Sequence, residues 1–275
     1  MDNYYRRWDV RRTILDFARA GEGNAFRECA FFNRRTESIQ RYLNFGESEQ
    51  RRPLVFDSEE SFELALRAGA SAFYCSYWRY PALDGQLRPV GRDLVWILRA
   101  ESGGLRFAKL VTKGVLEALT DCGLSEPWVK YSGDLGFDLI LPLESFGWEV
   151  WTGSLEILDD VHGALTKHIA SYLAERYSGF RVEGMSPKIR IKRGSCTCLL
   201  SELRLRRGLL LAPMSLNPKT GLVSLPIAPE HLGTFSVLDA SPADASGYRW
   251  MLPNVANGTM KSLLEPLIPP RAAAI

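Results

Sequence analysis

Long apolar runs, histidines and paired cysteines are all scarce in this chain, and each scarcity removes a class of function. No hydrophobic stretch approaches the ~20 residues that a membrane-spanning helix needs, and the opening MDNYYRRWDVRR lacks the apolar core of a signal peptide. The expected location is the cytoplasm. Five cysteines, an odd number at scattered positions, do not form a disulfide framework. Cys196 and Cys198 make a C-x-C pair with no second pair downstream and no histidine near in sequence, which argues against structural zinc. His162, His168 and His231 stand near no motif that presents Ser or Cys on a tight elbow, so a nucleophile triad has little support. His162 and His168 read as surface residues of a helix. Lys219-Thr220 has no glycine pattern upstream and is no P-loop. A net charge of +2 means that any nucleic-acid surface must come from local clustering of the 34 Lys and Arg.

What the chain does hold is core material. With 46% hydrophobic residues over 275 positions it can bury the interior of one large domain or two small ones. The pattern predicts an amphipathic helix over Trp8 to Arg19, ending at Gly21 or Gly23, with Trp8, Ile14, Leu15 and Ala18 on the apolar face and Arg7, Arg11 and Arg12 outside. In the stretch that follows, Arg27, Arg34, Arg35 and Arg41 mix with Phe26, Phe31, Phe32 and Tyr42. A nucleic-acid groove uses such a mixture, and so does the solvated face of a core strand. Acids at Asp57 and Glu59 start a second helix that closes at Gly69, followed by a buried strand from Ala72 to Tyr77. Asp93 to Ala100 reads as a strand, Phe107 to Cys122 as a helix, and Asp159 to Tyr177 as another helix with Val161, Leu165, Ile169 and Leu173 on one face. The chain closes with a short helix near Leu263 and a loose tail.

The stretch Trp128 to Pro142, WVKYSGDLGFDLILP, predicts a hairpin with a small-residue loop. Gly133 and Gly136 let backbone N–H groups approach an anion, and Ser132 and Lys130 add a hydroxyl and a charge; an ordinary hairpin turn carries the same letters. In SPKIRIKR, Lys188, Arg190 and Lys192 alternate with Ile189 and Ile191, which puts three cations on one strand face, with Arg204, Arg206 and Arg207 shortly after. The competing reading is a solvated face with scattered ion pairs.

The succession VRRTILDFA (from Val10), GRDLVWILRA (from Gly91), WVKYSGDLGFDLILPLESF (from Trp128) and APMSLNPKTGLVSLPIAPEHL (from Ala212) resembles the small, catalytic-type subunit of archaeal and eukaryotic DNA primase. It is similar, more distantly, to the polymerase domain of bacterial end-joining ligases. The resemblance implies a mixed α/β (α+β) core with a palm-like sheet over residues 1–250, with 251–275 as the short helix and tail. It also implies a family history of templated nucleotide transfer.

Against that family pattern the chain departs at the chemistry. Two metal-binding carboxylates one residue apart on a strand are expected; the matching positions are Ile97 and Arg99. A unit positive charge about 4 Å from another costs roughly 4 kcal/mol at an effective dielectric near 20, and a divalent ion would fare worse beside Arg99. Asp93 and Glu101 flank the strand but lie roughly 26 Å apart in extended chain. The family's phosphate-facing histidine is Asp138, a carboxylate expected to repel triphosphate. The histidine of its S-L-H is Asn217, and an expected arginine is Leu211. Ser132, Gly133, Gly136, Ser215, Lys219, Thr220 and Gly221 match; Ser132, Gly133, Gly136, Ser215 and Lys219, with Asp138 and Asn217, are the nucleotide or phosphate candidates.

The expectation is therefore a non-catalytic primase small-subunit homologue that acts in replication or repair. It would bind single-stranded or primed DNA, or a large or small primase subunit. No cofactor is expected, with Mg or Mn needed only if activity is retained. One alternative is an active nucleotidyltransferase whose metal site is rebuilt from Glu101, Asp134, Asp138 and Glu202. Another is a purely structural subunit anchored by Trp148 and Trp151.

Overall fold

In this computed structural model, residues 3–19, 26–42, 53–81, 88–124, 127–145, 155–247 and 249–250 are described. The helix end at Gly21 or Gly23, the Trp148 and Trp151 anchors, and the 251–275 stretch with its helix near Leu263 lie outside the described residues. The chain divides into two units, and it passes from one to the other after Asp93, Val129, Asp134 and Arg204.

The first unit begins with α1 (Trp8–Ala18), which buries Val10, Ile14, Leu15, Phe17 and Ala18. Trp8 is not on that face, contrary to the helix reading: it is 67% exposed. The reason is angular, since at ~100° per residue Trp8 lies about 200° round the helix from Val10. Next come β1 (Cys29–Asn33), β2 (Ser38–Gln40), α2 (Glu59–Arg67), β3 (Ala70–Ser76), β4 (Trp78–Arg79) and β5 (Gly91–Arg92). Ser58 caps α2, its hydroxyl accepting from the Ser61 N–H at 3.2 Å. The core here is aromatic: Phe62 stacks on Phe73 at 4.3 Å, with Tyr5 and Phe56 edge-on to Phe73.

Arg27, read among the groove-type arginines, is fully buried instead. Its guanidinium lies 2.6 Å from Asp93, donates to the Phe17 carbonyl at 2.8 Å and stacks on the Phe17 ring, while Arg79 reaches the other oxygen of Asp93 at 2.8 Å. Burial, then the charge of Arg79, push the Arg27 pKa down, and Asp93 opposes them.

The second unit holds β6 (Leu94–Ser102), α3 (Gly104–Asp121), the start of β7 (Trp128–Tyr131), β8 (Gly136–Leu141), α4 (Glu156–Arg176), β9 (Arg181–Met185), β10 (Lys188–Arg193) and β11 (Cys196–Glu202). The strands run in the order β7-β8-β6-β11-β10-β9. Burial alternates along them: Leu98, Ala100, Cys198, Leu200, Ile189 and Ile191 are buried on one face, the side on which α3 packs against β6, β8 and β11. The residues between them remain half-buried or exposed, so this face is open along β10, β11 and the later part of β6, whereas β8 is buried on both faces.

His162, expected at the surface of α4, is fully buried. It shares the stripe of Val161, Leu165 and Ile169 and packs edge-on against Trp96 at 4.6 Å, with Glu202 at 3.7 Å from its Nδ1. Thr166, one turn on, accepts from the Trp96 indole N–H at 2.8 Å.

Back in the first unit, β12 (Leu209–Leu211) joins the order β12-β3-β1-β2, every pair antiparallel. The short β13 (Pro226–Ile227) follows.

Candidate nucleic-acid interface

The open face of the second unit can be assembled from strand register. Arg190 on β10, Leu199 on β11, Arg99 on β6 and Gly136 on β8 are partners in one row. Lys188, Ser201, Ile97 and Asp138 form the adjacent row. Directly paired residues of an antiparallel sheet point to the same side, so the two positions where the resemblance places metal carboxylates share a face with the basic strand.

At the centre of this face Arg99 is bound to its own carboxylate. Its Nη2 lies 2.7 Å from Oδ1 of Asp138, and Nη1 donates to the carbonyls of Leu98 and Phe137, each at 3.0 Å. Asp138 is almost wholly buried, whereas the Arg99 side chain keeps 31% of its exposure. The expected lone carboxylate opposed to phosphate is thus a neutralised one, because the register sets Asp138 diagonally across from a cation. Gly136 allows β8 to lie this close to β6, since a Cβ there would be 1.9 Å from the Leu98 carbonyl oxygen.

Along β10, Lys188 and Arg190 are exposed and Lys192 half-buried, all on the open face, while Ile189 and Ile191 point inward. Two residues of strand advance by roughly 6.6–6.8 Å, so the three cations form an evenly spaced line. Arg190 meets Glu101 at 2.9 Å and Lys192 meets Glu183 at 2.6 Å. Solvent-exposed pairs of this kind contribute little, so a phosphate can displace the carboxylate at small cost.

Two of the other predicted cations, Arg204 and Arg207, are committed elsewhere. Arg204 donates to the buried Glu202 at 2.6 Å and to the Ser186 hydroxyl at 2.7 Å. Arg207 in the first unit is held by the buried Glu28, which raises its pKa through a hydrogen bond, and it reaches the Tyr42 hydroxyl at 3.0 Å. Arg206 is exposed. Leu211 sits half-buried on β12.

In the first unit, the candidate phosphate residues tie two loops together. The Asn217 amide donates to the Ser132 carbonyl at 3.3 Å, and its Oδ1 accepts the Lys219 N–H at 2.9 Å. The Thr220 hydroxyl donates to the Gly133 carbonyl. Gly133 has φ +77°, and a Cβ on it would lie 2.8 Å from that of Asn217. The Ser132 hydroxyl accepts the Asp134 N–H at 3.3 Å, and Ser215, fully buried, accepts the Phe73 N–H at 2.7 Å. Lys130 is buried as well and donates to the Ser224 hydroxyl at 2.9 Å. Lys219, with its side chain largely exposed, lies 3.5 Å from Asp134.

The rebuilt metal site is not assembled. Glu101, Asp134, Asp138 and Glu202 are engaged by four separate cations, Arg190, Lys219, Arg99 and Arg204. Among the described residues no group of three or more His, Cys, Asp or Glu comes together.

Sequence reasoning missed β11, whose Thr197, Leu199 and Ser201 floor the open face between β6 and β10. The signal was the alternation in CTCLLSE, obscured by the metal-like spacing of its cysteines. Cys198 is buried, and burial pushes its thiol up to about 12.

No family model matches the chain, and no curated protein matches it. Among solved structures, the polymerase domain of ligase D from Mycobacterium tuberculosis, in complex with DNA, is similar at a TM-score of 0.57 and 18% identity, over 96% of this chain and 90% of that one. The chain thus has the mixed α/β fold of that polymerase domain. No helix among the described residues is long and apolar enough to cross a membrane.

Proposed function

We propose that this chain is a nucleic-acid-binding relative of the primase small subunit that has exchanged nucleotidyl transfer for electrostatic binding in DNA replication or repair. The observation that carries this reading is the Arg99–Asp138 pair on the open sheet face. Where the resemblance calls for carboxylates around divalent ions, the face carries a fixed cation already matched by a carboxylate. A metal ion there would have to approach the guanidinium, with Ile97 offering no ligand. The line Lys188, Arg190 and Lys192 on the same face then supplies phosphate contacts that need no metal and read no sequence. The complex of the similar polymerase domain with DNA supports DNA as the ligand.

The test is fluorescence anisotropy of labelled primed DNA over a salt series, with the triple variant Lys188→Ala, Arg190→Ala, Lys192→Ala beside the wild type. Affinity should fall linearly on a log–log salt plot, and the triple variant should lower the slope by up to ~2.7, at ~0.9 for each phosphate no longer neutralised. Absence of binding at low salt would overturn the binding half of the proposal. Template-directed extension of the primer with Mg or Mn would overturn the other half.

A further inference from the structure

The open sheet face carries charge but, on the rows running from β10 to β8, no aromatic side chain. Such a face can hold phosphates and offers no aromatic ring for a base to stack on. In the first unit, Trp8 offers what that face lacks. Its indole is covered on one side by the Arg12 guanidinium, 4.8 Å from the ring centroid, and is still 67% exposed. With one face covered and two-thirds of its surface in solvent, the other face is open. Arg12 sits one helical turn on from Trp8, so the backing is built into the helix.

The charges around the ring favour an anionic ligand. Asp9 is bound by Arg7 at 2.6 Å, and Asp16 lies 3.6 Å from Arg12 and 3.9 Å from Arg249. Arg6, two residues before the tryptophan, is exposed.

Building on the nucleic-acid reading above, we propose that Trp8, backed by Arg12, is a stacking platform for an unpaired nucleobase. Bases within a duplex are already stacked on both sides, so the platform would act on single strands, overhangs and frayed ends.

The experiment compares wild type, Trp8→Leu and Trp8→Phe in binding a labelled thymidine homopolymer and a blunt hairpin duplex at one salt concentration. Base–aromatic stacking predicts a loss of about 5- to 100-fold for Trp8→Leu on the single strand, a smaller loss for Trp8→Phe, and no change on the duplex. Because the side chain is exposed, the melting temperatures of the variants should match that of the wild type. Single-strand binding by Trp8→Leu equal to wild type, or equal losses on both ligands, would overturn the platform while leaving the nucleic-acid reading intact. A wild type that binds neither ligand would overturn both.

Discussion

Arg99 and Asp138 are 39 positions apart in the chain and behave as one unit of charge. Arg99→Ala would leave the buried Asp138 without that cation, and loss of a charged partner at a buried acceptor costs roughly 1–3 kcal/mol. A lowered urea midpoint should show this. Adding Asp138→Asn to Arg99→Ala should restore part of the loss, since the buried charge then disappears; no effect of the single change would mean that the pair contributes nothing to stability. No reading of the sequence alone finds such a pair, because it depends on which residue of β8 lies beside which residue of β6. Ile97, Arg99 and Asp138 are the places where the chain departs from the pattern that it resembles. What the sequence could not give was that two of those departures compensate each other. His162 and Trp8 show the same limit from another side: periodicity locates a helix, but the width and direction of its buried stripe are set by what packs against it.

Secondary-structure elements were the more legible scale. The hairpin strands β7 and β8, the strand β6 and the alternating β10 announce themselves by β-branched and aromatic residues, and the long helices α3 and α4 by their apolar spacing. The edge strand β9, RVEGM, has a glycine at φ +87° and little apolar content, so nothing local marks it; its pairing with β10 makes it a strand. The close approach of the paired strands β8 and β6 also belongs to this scale. Gly136→Ala would drive a Cβ into a backbone oxygen, which no side-chain rotation relieves. We expect a loss of about 3 kcal/mol or more, read from the thermal midpoint, along with a disturbed Arg99–Asp138 pair. An unchanged midpoint would show that β8 can move away from β6.

For the molecule as a whole, several buried acids titrate in the same direction. Burial raises the Cys29 thiol and the Tyr5 phenol, and it pushes the Cys198 thiol up to about 12. A group whose folded pKa exceeds its unfolded value contributes stability that is complete below the unfolded pKa and is lost as pH rises toward the folded one. Denaturant midpoints should therefore hold steady through neutral pH and fall in the alkaline range, from the ordinary thiol pKa upward to about 12 for Cys198. Cys198→Ala should flatten part of that decline; an alkaline limb unchanged by the substitution would assign the loss to other groups.

The interleaving of the chain between its units bears on how the protein is made. Six of the seven strands of the sheet that runs from β13 to β9 have been synthesised once Arg204 is in place, all but the two-residue β13. The first unit, begun earliest, still lacks the edge strand β12 and the serine at position 215 whose hydroxyl accepts the Phe73 N–H. On a ribosome, the segment made first must wait for the segment made last, with the aromatic side chains of Phe56, Phe62 and Phe73 held in an unfinished sheet in the meantime. That interval is when a chaperone that recognises aromatic-rich segments would find its target.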